Sequence, residues 1–193
     1  MTLTDHLFYA LAWLAFGILH SAAAGASSRN GLGRLFGRAH RLMYNFIAAT
    51  QLGVVFMIGV WRGGDARSFT VPTAVLTLQY VLVGIGVLVG LAALQTYRAA
   101  PFLGWAQLRG EEDDGQPLVT DALHARVRHP LYTALLCILW GLVRDALSLD
   151  TAVWGSLYLF VGSIFEERRL IARYGEIYRL YRGTTPRFIP RLF

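Results

Sequence analysis

Two short stretches of this chain carry side chains able to do chemistry. The first is Arg126-Val127-Arg128-His129-Pro130-Leu131-Tyr132. Three groups that can be cationic stand there beside a proline suited to the first turn of a helix. The free N–H groups and the dipole of a helix N-terminus attract anions, so a carboxylate or an anionic substrate can sit at such a place. Anchoring of the arginines in lipid head groups is the competing use. The second stretch is Phe165-Glu166-Glu167-Arg168-Arg169-Leu170. Two carboxylates at the end of an apolar run either pair with Arg169 or Arg173 at helical spacing or accept hydrogen bonds from a cationic or hydroxyl-bearing ligand. Beyond them Leu170, Tyr174, Ile177, Tyr178 and Tyr181 recur on one helical stripe, and Pro186 and Pro190 end it.

The elements that must hold these groups are apolar. Of the 193 residues 55% are hydrophobic and only 16% are charged, against about 45–50% and about 25% in an ordinary soluble domain. A soluble chain this short cannot hide so much apolar surface, but lipid can cover it. Apolar runs extend from Leu7 to about Ala26, Leu42 to Trp61, Pro72 to Tyr97 and Ala146 to Phe165, each long enough for the roughly 20 residues that cross a ~30 Å hydrocarbon core. The run Leu131 to Val143 is too short to span. It forms a helical hairpin with the next run across Arg144 and Asp145, and its helix either extends upstream of Pro130 or enters the membrane partway. The fold class expected is all-α: an integral membrane bundle of about five transmembrane helices in a single domain over 1–193. Within it, 1–97 is a three-helix scaffold, 98–130 a cytosolic connection, 131–165 the hairpin, and 166–193 a cytosolic amphipathic tail. Asp5 and the absence of a basic start make the first run a membrane helix rather than a cleaved signal.

All 18 basic residues are arginine. The net charge of +6 could suggest nucleic acid, but the arginines flank apolar runs. Arg29, Arg34, Arg38 and Arg41, then Arg98, Arg109, Arg126 and Arg128, then the seven of the tail fall on one side; Arg62, Arg67 and Arg144 fall on the other. The positive-inside rule then places the N-terminus outside and the C-terminus in the cytosol of an inner or plasma membrane. The connection 98–130 and the tail share the cytosolic side, within reach of a soluble cofactor.

Weaker motifs have plainer uses. Gly86 and Gly90, four residues apart on a membrane helix, serve close helix packing and leave a homodimer open; their spacing is not that of a dinucleotide fingerprint. Gly31-Leu32-Gly33 reads as loop, and Glu111, Glu112, Asp113 and Asp114 as a solvated acidic loop. His20 and Ser21 close the first apolar run, where they line a cavity or sit at the interface. Cys137, the one cysteine, lies in an apolar run as an inert thiol and excludes a multi-cysteine metal site.

The ordered set Arg128-His129-Pro130-Leu131-Tyr132, a hydrophobic hairpin, Glu166-Glu167, a Tyr-rich helix and a Pro-bounded tail resembles the isoprenylcysteine carboxyl methyltransferase and phospholipid methyltransferase superfamily of membrane enzymes. The resemblance covers about residues 117–190. His20-Ser21, Arg41-Leu42-Met43-Tyr44-Asn45 and Phe102-Leu103-Gly104-Trp105-Ala106-Gln107-Leu108 are similar to the branch containing methanethiol S-methyltransferase. Proteins of the denitrification-associated NnrU type resemble the first half. The chain departs from the pattern at Ala122 and His124, where the family has Gly-x-Tyr, and at Thr184-Thr185-Pro186, where it has Arg-Val-Pro.

The resemblance implies S-adenosylmethionine as cofactor, in a cytosolic pocket formed by His129, Pro130, Tyr132, Glu166, Glu167 and Tyr178. It implies transfer of a methyl group to a small or lipophilic substrate: a thiol first, a prenylcysteine carboxylate or a lipid amine as alternatives. For a thiol the attacking species is the thiolate. Arg128 would stabilise its charge, His124 would take its proton, and Arg182 would stand in for the missing tail arginine. The altered positions keep open a non-catalytic membrane protein, and sterol reductases on related folds are a third and weaker reading.

Overall fold

A computed structural model describes residues 1–64, 66–96, 104–110 and 117–191, without the side chains of 26–30 and 96. The described residues are helical or connecting, and they fall into two units. One holds Met1–Arg67 and the described part of 97–115; the other holds Ser68–Thr96 and the described part of 116–193.

In the first unit α1 (Leu3–Ala23) packs on α3 (His40–Gly63), with α2 (Ala26–Phe36) and the short turn α5 (Trp105–Leu108) beside the start of α3. A capping box starts α1: Asp5 N–H donates to Thr2 Oγ1, and Thr2 N–H donates back to Asp5 Oδ2 at 2.8 Å. The same Asp5 meets Arg62 at 3.1 Å. Tyr9, Trp13 and Phe16 recur at helical spacing and are buried, with Trp13 edge-on to Phe16 at 5.9 Å and to Phe56 at 6.3 Å. The opposite face of α1, with Leu7, Leu11, Leu14 and Ile18, is exposed. That is the inverse of a soluble helix and suits a lipid solvent.

The second unit begins with α4 (Thr73–Thr96), followed after the connection by α6 (Pro130–Gly141), α7 (Ala146–Tyr174) and α8 (Glu176–Thr184). Glycines set the α4–α6 approach. A Cβ on Gly86 would lie 2.8 Å from the carbonyl oxygen of Ala134, and one on Gly141 would lie 2.7 Å from that of Gln79. The Gly86 face expected to permit pairing with a second copy is therefore used inside the chain. The α6–α7 turn is tied by its polar residues. Asp145 accepts from Ser148 N–H at 2.8 Å to cap α7. Arg144 donates to the carbonyls of Gly141 and Val143, closing the end of α6, and to Gln79 Oε1.

Among the described residues, four helices are long and apolar enough to cross a membrane: α1, the span that includes α3, α4 and α7. With the shorter apolar α6 they account for the bundle of about five. The limits of the long helices lie within a few residues of the apolar runs except at three places. α6 starts at Pro130 and has 12 residues, about 18 Å at ~1.5 Å per residue; it does not extend upstream, because proline lacks the N–H and closes the helix on that side. α7 does not stop at Phe165 but runs 29 residues to Tyr174, about 44 Å against a ~30 Å core. Glu166 and Glu167 thus belong to the spanning helix, and the expected stripe from Leu170 to Tyr181 is broken at Gly175, whose φ of +59° only glycine adopts freely. Finally, Gly31-Leu32-Gly33 is helical within α2. A further difference concerns grouping: the third apolar segment, α4, packs on α6 and joins the second unit rather than a 1–97 scaffold. Glu111–Asp114 lie outside the described residues.

Replacing Gly141 by Ala should destabilise the protein by about 1–3 kcal/mol, because the new methyl meets backbone that cannot yield. Gly53→Ala and Gly162→Ala, where nothing lies within 4 Å, serve as neutral controls. Thermal unfolding of the three variants in one detergent measures the difference.

Candidate functional site

The end of α7 and the start of α6 meet at Glu167. Its side chain is 3% exposed, and a buried carboxylate survives only if its charge is matched and its lone pairs are used. Arg128, just before α6, donates from Nε at 3.0 Å and from Nη2 at 2.8 Å to Oε1. Arg187, in the segment after α8, donates from Nε to Oε1 at 3.1 Å and from Nη2 to Oε2 at 3.0 Å. This is the two-pronged geometry that makes arginine–carboxylate pairs strong. His129 Nε2 lies 3.2 Å from the same Oε1.

The other ring nitrogen of His129 faces Glu166, with Nδ1 3.5 Å from Oε2. One imidazole thus lies between two successive carboxylates. The two differ in surroundings. Glu166 is 40% exposed and shares its neighbourhood with Tyr132 and Arg169. Tyr132 stacks on the His129 ring at 5.2 Å and 18°, and Phe188 lies against both rings.

Backbone hydrogen bonds tie the tail across the start of α6. Arg128 N–H donates to Pro186 O at 2.9 Å, and His129 N–H to Arg187 O at 3.1 Å. The Thr133 hydroxyl donates to Phe188 O at 2.8 Å. Arg128 Nη1 donates to the carbonyls of Arg182 and Thr185. Tail carbonyls thus accept from the two N–H groups just before the helix, those of Arg128 and His129, and the buried anion beside them is Glu167.

Above the centre, α8 turns inward a face of tyrosines. Tyr178 is 1% exposed, and its hydroxyl has no hydrogen-bond partner among the described residues. Burial first, and the charge of Glu167 after it, push its phenol well above the usual range, so it is a neutral donor. The Tyr181 hydroxyl donates to His124 O at 2.5 Å. His124 lies in the 3₁₀ turn Ala122–Ala125 and is buried. Desolvation holds its imidazole below the usual value, which keeps it neutral and able to accept a proton. The turn begins with Ala122 at φ +48°, a left-handed conformation that costs a non-glycine residue about 1–2 kcal/mol.

The structure therefore brings together Arg128, His129, Pro130, Tyr132, Glu166, Glu167 and Tyr178, with His124 beneath Tyr181. It also redistributes work among them. Glu167 pairs with Arg128 and Arg187 across the fold, not with Arg169 or Arg173 along its own helix. Arg128 is not a free cation for a thiolate, since its charge is matched by Glu167 and its side chain is only 9% exposed. Arg182 is exposed and contributes its main-chain carbonyl; the arginine that enters the centre from the tail is Arg187. Thr133, Thr185 and Phe188 also entered unannounced. The only signal for Arg187 was its place directly after Pro186, near the arginine that the related pattern carries before its proline.

The first unit holds a second convergence of motif residues. His20 Nε2 lies 3.0 Å from the Tyr44 hydroxyl, and the His20 ring lies against Phe16 and Tyr44. A Cβ on Gly104 would stand 2.7 Å from Leu42 N, so Gly104-Trp105-Ala106-Gln107 packs on the start of α3. Phe102 and Leu103 of that motif lie outside the described residues.

An all-helical membrane protein that spans the bilayer several times, with a carboxylate–arginine–histidine centre at the end of its longest helix, is the class these features define. Sequence comparison is more particular. The chain is 30% identical over 160 residues to Methanethiol S-methyltransferase 2 of Bradyrhizobium diazoefficiens, covering 77% of this chain and 59% of that protein. It is 27% identical over 158 residues to the methanethiol S-methyltransferase of Pseudomonas deceptionensis, covering 76% and 58%. A shorter match to the methanethiol S-methyltransferase of Crocosphaera subtropica is 35% identical over 83 residues, covering 42% and 32%. The chain spans somewhat under three fifths of the length of the first two relatives. No family model and no solved structure matches it significantly. Over most of its length the chain is thus a relative of proteins named methanethiol S-methyltransferase, in agreement with the membrane methyltransferase branch that its motifs resemble.

The lowered His124 value has a consequence for stability. Below about pH 6.5, the ordinary histidine value, the unfolded chain binds a proton at this residue that the folded chain resists. Folding stability should therefore fall as pH drops below that value and level off once the folded imidazole is protonated. Melting curves from pH 5 to 8 should show a shallower acid decline in His124→Asn than in the unaltered protein. Equal slopes would mean that His124 is not held neutral.

Proposed function

We propose that this protein is a methyltransferase of the bacterial inner membrane that uses S-adenosylmethionine to S-methylate a small or lipophilic thiol. The arginine distribution supports an outside N-terminus and a cytosolic C-terminus, with the short α6 crossing as the fifth segment of the bundle. The observation that carries the reading is the meeting of Arg128-His129-Tyr132 with Glu166-Glu167 in one centre, in a chain similar to proteins named methanethiol S-methyltransferase.

The residues fit the cofactor chemically. It carries hydroxyls, an ammonium and a sulfonium, and Glu166 offers a partly exposed carboxylate to such groups. Tyr178 offers a buried hydroxyl with capacity to spare. The stacked His129 and Tyr132 rings supply aromatic surface, which favours a cation. Pro130 holds the start of α6 that orients both rings. When bound, S-adenosylmethionine supplies an electrophilic methyl group on a positively charged sulfur. Glu167, Arg128 and Arg187 satisfy one another and hold the site together. His124, buried and neutral, would take the proton of the thiol. Alignment of donor and nucleophile is the main contribution open to such a site, worth up to about 7–11 kcal/mol. The covering α8 and the lipid wall exclude water.

A labelled-methyl assay against small thiols, prenylcysteine analogues and lipids, run on the full chain in lipid nanodiscs, tests the substrate class. Label should appear in a methyl thioether product; label only in a carboxyl ester or a lipid amine would replace the thiol reading. Glu166→Gln should weaken binding of S-adenosylhomocysteine by about tenfold or more, on the scale of a lost charged hydrogen bond, with an unchanged melting temperature. Failure of the unaltered protein to bind that ligand by calorimetry would favour a non-catalytic membrane protein.

A further inference from the structure

The helix that covers the centre has a second face with no occupant in this fold. On α8, Tyr178 and Tyr181 are three apart and form one ridge, turned inward. Ile177 and Leu180, also three apart, form a neighbouring ridge displaced by about 100°. Both are 66% exposed, which is more than most large apolar residues of the spanning helices.

Its position and charge identify the partner. α7 leaves the hydrocarbon zone near Phe165, since about 20 of its 29 residues suffice to cross. Gly175 then reverses the chain, and α8 brings Tyr178 and Thr185 back to the level of Arg128 and Glu167. The Ile177–Leu180 ridge therefore lies where the bilayer surface must be. Exposed Arg168, Arg169, Arg173 and Arg179 surround the same turn, and Arg179 shares its charge with Glu176 at 3.1 Å. An exposed aliphatic ridge flanked by arginine is the composition of a helix lying in the plane of a membrane interface, and the arginines match anionic head groups.

We propose that the Ile177–Leu180 face of α8 docks into the interfacial layer of an anionic bilayer, so that the membrane surface holds the Tyr178–Tyr181 face over the Glu167 centre. This does not rest on the methyltransferase reading; it concerns how the covering helix is held, whatever the centre binds. Where that reading is also right, lipid composition tunes closure of the site.

The test uses the full chain in nanodiscs loaded with one copy each, in a Cys137→Ala background. A fluorophore is attached to Ile177→Cys or, as a control on the opposite side of the helix, to Arg182→Cys, at an exposed position about 170° from the ridge. In discs containing phosphatidylglycerol, bromines on the upper acyl chain should quench the label at 177 severalfold more than the label at 182, and aqueous iodide should do the reverse. The contrast should weaken in purely zwitterionic discs. In the Arg173→Gln/Arg179→Gln variant it should become independent of lipid charge. Equal iodide quenching at both positions would overturn membrane docking. Docking that ignores lipid charge in the unaltered arginine background would overturn the anionic requirement. Protection at 177 only in discs holding two copies would show instead that the face meets a second chain.

Discussion

The second unit depends on one buried negative charge. Glu167 sits on a helix that lipid surrounds for most of its length, and burying it alone would cost several kcal/mol. Three elements supply what it needs. The segment before α6 contributes Arg128 and His129, the tail contributes Arg187, and α7 itself places the carboxylate where these donors meet. Because the partners come from far apart in the chain, satisfying the charge also closes the topology. The hairpin and the tail can take up only a restricted set of positions that leave Glu167 paired.

Charge neutrality inside the centre divides the two adjacent carboxylates. Glu167 is saturated and serves architecture. Glu166, one residue before it and rotated by about 100°, keeps a partly exposed side chain and has the second nitrogen of His129 as a neighbour. Adjacent identical residues thus acquire different work from helix geometry alone. The same logic applies to the tyrosines of α8: Tyr181 is spent on His124 O, whereas Tyr178 keeps an uncommitted hydroxyl among the described residues. What remains free after the internal bonds are made is the part of the centre open to a ligand.

The membrane architecture was legible because lipid imposes length and hydropathy on each segment separately. Four of the apolar runs correspond to helices α1, α3, α4 and α7, and the short run Leu131–Val143 is α6. The meeting of Arg128-His129 with Glu166-Glu167 was legible only through resemblance, since nothing in local spacing joins residues nearly forty positions apart. Arg187 was not legible: it is one of seven tail arginines, and only the tertiary course of the segment after Pro186 singles it out. Helix ends were the least readable. Glu-Glu-Arg-Arg has high helix propensity and carries α7 past the apolar boundary, and the stop is set by Gly175. The motifs of the first half, His20-Ser21, Arg41–Asn45 and Gly104–Leu108, read as separate signatures but pack as one cluster through His20–Tyr44 and Gly104–Leu42.

A double-mutant cycle between Glu167 and Arg187 addresses the central claim most directly. Glu167→Gln, Arg187→Gln and the pair are compared by unfolding in one lipid or detergent system. Coupling of about 1–3 kcal/mol between the two sites, with the double variant less damaged than the sum of the singles, is the outcome expected for a shared buried charge. Strictly additive losses would show that Glu167 does not organise the tail, and the account of the second unit would fail.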